Sequence, residues 1–545
     1  MSTTKSSSPG GRDIAIIDTT LSTIAFQPSF QSSIDDDLFV ATFDDPVDRN
    51  RYGYSKLQIL ATNNKDCLHS GYINGYPPKK HIHGIQNPAF GRAYNERILP
   101  GILGILHPST SSSFVVPQFS ELHAVHMVFS DGHELIREFP TVLLVFDVSL
   151  GTINTSEAKD LVLKISECIQ NHWPRSVGRV YTDICESNVL VTSDARSGSN
   201  AQDPRILNPT VYEEKTPRPG ASIGNIEYPT SSSTLSFYIT NGDKTYATAT
   251  DHGVFPAKEL LKRSAAGFEV SPYDRKNTSS EIKMVSPSGA DWQETLDALE
   301  IEIEEYKCNE KMFGLSEWKA ALRDNPDSID DFVSSHQVGI NSTKEKISLI
   351  SNFDRILGTV VATSEQLVPT ATLFRFDWSV IECDGNKIYS NTYPPQSIVH
   401  EDRRALSNTD WLVQMNVKLK AGIRISQELS NEAMSSKTSF VKPSSARTGT
   451  RVAKFSDTVS TLYNGRCGIT TEWAFSNLPG TPALTVPGDS GSCILSEDGC
   501  VVAVAWGGDD NTLRAVDLTY ATPAKDLLQD IREKLQWEQV KLLRV

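Results

Sequence analysis

The chain has 545 residues, 39% of them apolar and 22% charged, and a formal net charge of -15. That is ordinary globular composition, with apolar material for at least one large core and length for two to four domains. A surface of this sign repels phosphate backbones and anionic lipid, and there is no dense Lys/Arg block, so neither nucleic acid nor a membrane is expected as a partner.

Residues 1–12 are polar and rich in Ser and Gly, and read as a disordered tail. No apolar stretch of the signal type follows them, and no apolar run approaches the roughly 18 residues of a membrane span. The expected location is cytoplasmic. The eight cysteines are scattered without a Cys-x-x-Cys pair, which favours thiols over a disulfide framework. Residues 13–195 read as an α/β (α+β) domain of unassigned role, with recruitment of substrate or of a regulator as its possible uses. Within it Thr141–Val148 reads as a buried strand. Thr155–His172 reads as a helix with Ser156 as N-cap and Leu161, Val162, Ile165 and Ile169 on one face. Val177–Tyr181 and Asn188–Thr192 read as further strands. His81 and His83, and His123 and His126, stand as pairs at metal-ligand spacing. No Cys or carboxylate cluster completes a zinc set, so no metal is expected.

Residues 196–216 hold Ser197-Gly198-Ser199-Asn200 and then Pro204 and Pro209, a linker composition. Short strands with turn signals begin after it. Thr234–Thr240 and Lys244–Thr250 flank Asn241-Gly242-Asp243, which predicts a hairpin. Residues 291–355 change texture again. Trp292, Leu296, Leu299, Ile303 and Tyr306 recur at helical spacing, with Ser316 and Ser342 as caps of a second and a third helix. The acidic run Glu300–Glu305 fits a solvated helix face. Strand texture returns at Ile356–Ala362 and Leu373–Glu382. The last element is a helix with Thr522 as N-cap, Pro523 in its first position, and Leu527, Leu528, Ile531 and Leu535 on one face.

The most informative stretch is Pro487-Gly488-Asp489-Ser490-Gly491-Ser492. A serine hydroxyl is a weak nucleophile that needs a base and a site for the developing oxyanion. Gly488 permits the dihedrals of a tight turn, and that turn would aim the Gly488 and Ser490 N–H groups at the oxyanion. An ordinary β-turn would favour the same residue types. The context adds weight to the first reading. An apolar strand follows at Cys493–Leu495, then a turn at Glu497-Asp498-Gly499, then Val501–Trp506 closed by Trp506-Gly507-Gly508. Cys493 and Cys500 are placed to face each other across this hairpin, with a reduced pair as the expectation.

In these residues the chain resembles the chymotrypsin/trypsin family of serine proteases, and looks most like fungal trypsin-like members with an extra N-terminal region. The resemblance covers roughly residues 217–545. It implies a chymotrypsin-like double β-barrel with a helical insertion at about 291–355 and a C-terminal helix, behind the N-terminal domain. Pro219–Gly224 is similar to the start of the family's domain. Ser445–Thr450 is similar to the hydroxyl-rich strand opening before its nucleophile loop. The family's chain order is His, Asp, Ser. Among eleven histidines, His252 in Ala247-Thr248-Ala249-Thr250-Asp251-His252 is similar to the box around the family's base, although Asp251 stands where a small residue is usual. Asp377, at the start of an apolar strand, matches the orienting carboxylate, with Asp410 as rival. Leu484 matches the base of the specificity pocket, which would disfavour Lys or Arg there. Trp506 and Gly507 match the edge that binds the substrate backbone, preceded by Ala505 instead of the usual Ser. The implied activity is hydrolysis of a protein or peptide by a Ser490–His252–Asp377 triad, with no cofactor. The alternative is a catalytically impaired relative that keeps the barrels as a peptide-binding or scaffolding module. A serine hydrolase for other esters is disfavoured, because the strand–turn–helix setting of Gly-x-Ser-x-Gly is missing.

Overall fold

Among the described residues, six strands precede residue 187: β1 (Ala41–Thr42), β2 (Gln58–Thr62), β3 (Lys80–Gly84), β4 (Phe119–Ser130), β5 (Leu135–Asp147) and β6 (Val180–Glu186). The structure is a computed structural model. It describes residues 40–43, 58–64, 80–106, 119–130, 135–147, 153–174, 176–186, 216–255, 281–313, 327–364, 374–396, 400–406, 410–425, 434, 439–445, 447–464, 468–478, 481–508 and 518–544.

Strands β5 and β6 are parallel, joined by helix α1 (Thr155–His172), and the other pairings of this sheet are antiparallel. A parallel pair needs such a crossover. The helix starts at a capping box. The Asn154 side chain accepts from the Glu157 N–H, and the Glu157 side chain accepts from the Asn154 N–H. The cap is therefore Asn154 and not Ser156, because only Asn154 has a carboxylate three residues on that reaches back. Ala158, Val162, Ile165 and Ile169 face the core formed with Leu60, Ile98, Ile102 and Ile184. The expected strand at Thr141 lies in β5, and the one at Val177 begins at Val180. Asn188–Thr192 falls outside the described residues.

After residue 217 come β7 (Ser222–Asn225), β8 (Ser233–Thr234), β9 (Tyr238–Asn241), β10 (Lys244–Ala249), β11 (Lys283–Val285), β12 (Ile356–Thr363) and β13 (Ser379–Cys383). They pair in the order β9-β10-β13-β12-β11-β7-β8. The run 233–241 closes the ring: Leu235 N–H reaches Ala221 O beside β7, and Ser236 N–H reaches Thr248 O in β10. Gly242, at φ +61, makes the β9–β10 turn. The segment before β13 is not strand. Its Arg375 and Trp378 N–H groups go to the Glu472 carboxylate and the Ser364 hydroxyl instead of a ladder.

The short β14 (Arg424–Ile425) precedes a second ring: β15 (Phe440–Lys442), β16 (Arg451–Phe455), β18 (Gly468–Asn477), β19 (Cys493–Ser496), β20 (Cys500–Gly508) and β21 (Thr519–Pro523). It closes in the order β15-β16-β18-β21-β20-β19 and back to β15. Cys493 lies opposite Val504 in this ladder, so it does not face Cys500. Phe440, Phe455, Trp473 and Phe475 fill the interior. Ser445 and residues 447–449 lie in a loop before β16, not in a strand opening, because their hydroxyls and amides turn to Asp489. A last short strand, β22 (Lys541–Leu542), returns to β9.

Helices α2 (Gly289–Phe313) and α3 (Asp327–Ser351) form a hairpin inserted between β11 and β12, around Trp292, Leu296, Leu299, Ile347 and Ile350. Ser342 lies inside α3 and caps nothing: Ile340, Thr343 and Ile350 carry one buried face through it. Ser316 falls outside the described residues. Helix α4 (Ala524–Lys534) packs Leu527 and Ile531 on the barrels. Pro523 ends β21 and stands in the cap position, and the Thr522 hydroxyl is drawn away to the Arg375 carbonyl at 2.8 Å.

The N-terminal sheet and the second ring are joined. β17 (Ser460–Asn464) pairs with β18 on one side and β4 on the other, with Thr461 opposite Leu122. Beside that seam, Asn95 takes the Val459 N–H at 3.1 Å and donates to Asp457 O at 3.0 Å. Val40–Val545 forms one compact unit. Among the described residues no helix is long and apolar enough to cross a membrane.

Candidate active site

The small residues that end β10 let the chain turn at once into a single helical turn, Asp251–Val254, which carries His252. The His252 ring Nδ1 lies 2.7 Å from Asp377 Oδ2. Asp377 Oδ1 accepts the Asp251 N–H at 2.8 Å and the His252 N–H at 3.2 Å, so ring and backbone are gripped by one carboxylate. Asp377 is 2% exposed, and the Arg375 guanidinium stands 3.5 Å from its Oδ2. Burial alone would push this carboxyl up. The His252 charge and hydrogen bonds, with Arg375, outweigh it and hold the carboxyl below its ordinary value. Asp251 is buried beside the histidine. Asp410, the rival, opens the helix Asp410–Lys420.

Ser490 comes from the second ring. Gly488 and Gly491 have φ of +100 and +98, a region that favours glycine. A Cβ on Gly491 would overlap the Thr234 carbonyl of the first ring. The loop's carbonyls turn toward that ring. Thr234 N–H donates to Ser490 O at 2.8 Å, Ser233 Oγ to the same oxygen at 2.8 Å, and Thr234 Oγ1 to Gly488 O at 3.0 Å. Ser233 Oγ is also 2.9 Å from Thr250 Oγ1, two residues before His252, so one hydroxyl ties the serine loop to the histidine turn. With the carbonyls engaged, the Gly488 and Ser490 N–H groups have no acceptor among the described residues. Such a pair of amides can hold an oxyanion. The Ser490 hydroxyl donates to the Trp506 carbonyl at 3.2 Å and makes no hydrogen bond to His252.

Asp489 anchors the loop from below. Its Oδ1 accepts from Ser445 Oγ at 2.7 Å, Arg447 N–H at 3.0 Å and Thr448 N–H at 3.2 Å. Its Oδ2 accepts from Thr448 Oγ1 at 2.7 Å and Val486 N–H at 3.1 Å. The buried Lys442 ammonium holds the two hydroxyls in place, at 2.8 Å from Ser445 Oγ and 2.7 Å from Thr448 Oγ1. Burial brings Lys442 down to about 8, against the pull of Asp489 and Asp402 and with a push from Arg451.

The substrate-edge residues Trp506 and Gly507 lie in β20, paired with β21 on one side. Trp506 is 3% exposed, with the Arg375 guanidinium over its ring at 4.4 Å and the Tyr520 ring 5.8 Å away. Its indole N–H donates to Glu472 at 3.3 Å, and the Arg375 N–H donates to the same carboxylate at 2.8 Å. Leu484 is fully buried among Phe440, Phe455, Trp473 and Phe475. The register of β3 and β4 sets His83 opposite His126. No group of three or more His, Cys, Asp or Glu able to hold a metal ion occurs among the described residues.

Sequence reasoning missed Glu472, Arg375, Lys442 and Ser233. Glu472 left a signal, a carboxylate between Thr470 and Ala474 on one face of an otherwise uncharged strand. Burial raises it from 4.5 to about 7, against hydrogen bonds from the Arg375 N–H, the Thr470 hydroxyl and the Trp506 indole. Its folded value lies above its unfolded one, so the folded chain binds more protons between them. Stability from this group is full below about 4.5 and is lost as pH rises through about 7, by up to about 3 kcal/mol. Glu472→Gln is neutral throughout. Its melting temperature relative to wild type is expected to rise from pH 4.5 to pH 7.5. A difference that stays constant across that range would refute the assignment.

No family model matches the chain, and no curated protein matches it. Among solved structures, one match is protease A of Thermobifida fusca, at 12% identity and a TM-score of 0.28, covering 60% of this chain and 98% of that one. At that distance nothing about substrate or mechanism transfers.

Proposed function

We propose that the chain is a serine endopeptidase, with residues 217–545 as its trypsin-like unit and residues 13–195 as a domain that binds substrate or a regulator. The observation that carries the reading is the buried His252–Asp377 pair at 2.7 Å, held beside the Ser490 loop by Ser233. In this reading Ser490 Oγ rotates from the Trp506 carbonyl to His252 and attacks the peptide carbonyl as the imidazole takes its proton. Asp377 holds the tautomer with the proton on Nδ1 and stabilises the charged ring. The Gly488 and Ser490 amides take the oxyanion, the imidazolium protonates the leaving amine, and water cleaves the acyl-enzyme. Trp506 and Gly507 offer backbone to an extended peptide, and the buried Leu484 leaves no charge below the pocket. The chemistry calls for no metal or organic cofactor. The partner is a protein or peptide, and the setting consistent with the thiols is the cytoplasm.

A second reading is a peptide-binding module without turnover. The Ser490 hydroxyl bonded to Trp506 O and the Arg375 cover on Trp506 favour it. Hydrogen bonds of a resting site often tighten only with substrate, which is why the first reading stands ahead. A fluorophosphonate probe separates them. Wild type is expected to label covalently, and Ser490→Ala and His252→Ala are expected not to. An unlabelled, folded wild type would leave the binding module, and labelling of Ser490→Ala would displace Ser490 as nucleophile.

A further inference from the structure

The Ser490 loop is tied to the helical hairpin by one side chain. The Arg447 N–H binds Asp489 at 3.0 Å, and its Cγ would lie 2.7 Å from a Cβ on Gly488, so its stem packs against that glycine. Its guanidinium ends on the first turns of α2, 2.9 Å from Asp291 Oδ1 and 2.6 Å from Glu294 Oε2. Asp291 is itself immobilised. Its Oδ2 accepts from the hydroxyls of Ser232 and Ser288, each at 2.7 Å, and from Ser222. Ser222 lies in β7 of the first ring, Ser232 stands just before β8, α2 belongs to the insertion, and Arg447 is in the loop before β16 of the second ring. A bridge of this kind does nothing for the chemistry directly. It fixes how far the Gly488 backbone stands from the first ring, which carries His252.

We propose that Arg447 is a positioning residue that couples the start of the helical hairpin to the oxyanion amides of Gly488 and Ser490, so that its ion pairs to α2 set the rate of turnover. The inference rests on the endopeptidase reading for its catalytic consequence and on the ion pairs for its mechanical one. The paired charges are Asp291 and Glu294 on α2, with Asp489 facing the Arg447 backbone.

The test uses the full chain carrying Arg447→Met, Asp291→Asn or Glu294→Gln, followed by peptide turnover and by amide exchange over residues 485–492. The Met variant keeps the stem and loses the charge. Arg447→Met and Asp291→Asn are each expected to lower kcat about 10-fold with KM little changed. The double variant should be no worse than the poorer single, and Arg447→Lys should recover part of the loss. Exchange over 485–492 should rise in each single variant. Glu294→Gln, at an exposed partner, gives the same direction with a smaller change if Asp291→Asn fails to fold. Additive losses, or unchanged exchange over 485–492, would overturn the coupling. A wild type that turns over no peptide, with exchange that still rises in the variants, would remove the endopeptidase reading and leave the coupling.

Discussion

Asp377→Asn is expected to lower kcat by about 10,000-fold while the protein stays folded. The reason lies in which atoms the carboxylate serves. Oδ1 accepts two backbone N–H groups, from Asp251 and His252, and an Asn carbonyl oxygen can keep both. That choice leaves the Asn amide nitrogen at the Oδ2 position, 2.7 Å from His252 Nδ1. An N–H donor there needs an acceptor, so the ring moves its proton to Nε2. An imidazole protonated on Nε2 has no lone pair to take the Ser490 proton. KM should change little, since no substrate contact is lost, and circular dichroism should match wild type. A loss under 10-fold in a folded variant would mean that Asp377 does not orient His252.

The second large effect is on stability. Asp489→Ala removes the acceptor of five donors at once: the Ser445 and Thr448 hydroxyls and the Arg447, Thr448 and Val486 amides. It also leaves the Lys442 ammonium in the interior without the carboxylate that most strongly offsets its burial. Leaving buried donors and a buried ammonium without their acceptor is expected to cost about 3–5 kcal/mol. Asp489→Asn keeps one carbonyl oxygen for the amides and should lose roughly half as much. Urea unfolding at pH 7 reads both. If Asp489→Ala costs less than Asp489→Asn, the loop does not depend on this carboxylate.

What the sequence made legible was local. Glycine at 488 and 491, small residues before His252 and an acid at the head of an apolar strand are patterns within a few residues, and the chain brings His252 and Asp377 together where those patterns stood. Pairings across long separations left no such mark. Glu472 meets Arg375 from 97 residues away, and Trp378 meets Asp530 from 152. The Arg447 bridge needs three elements in place before it exists. Helix caps failed for a related reason. Asn154 and Ser156 are equally good caps by type, and only the reach of Glu157 separates them. Thr522 has the right hydroxyl, but the Arg375 carbonyl, 147 residues away, takes it. The strand expected over Leu373–Glu382 begins only at Ser379, because backbone N–H groups that look available to a ladder are spent on the side chains of Glu472 and Ser364.

The seam between β4 and β17 bears on how the chain can be dissected. A fragment that begins near residue 216 would lack β4, and β17 would present one row of amides and carbonyls to water. Its sequence, Ser-Thr-Leu-Tyr-Asn, has no charge or proline to discourage a second copy from docking there. The isolated C-terminal part is therefore expected to self-associate in solution, and β4 of the N-terminal sheet serves as its edge cover.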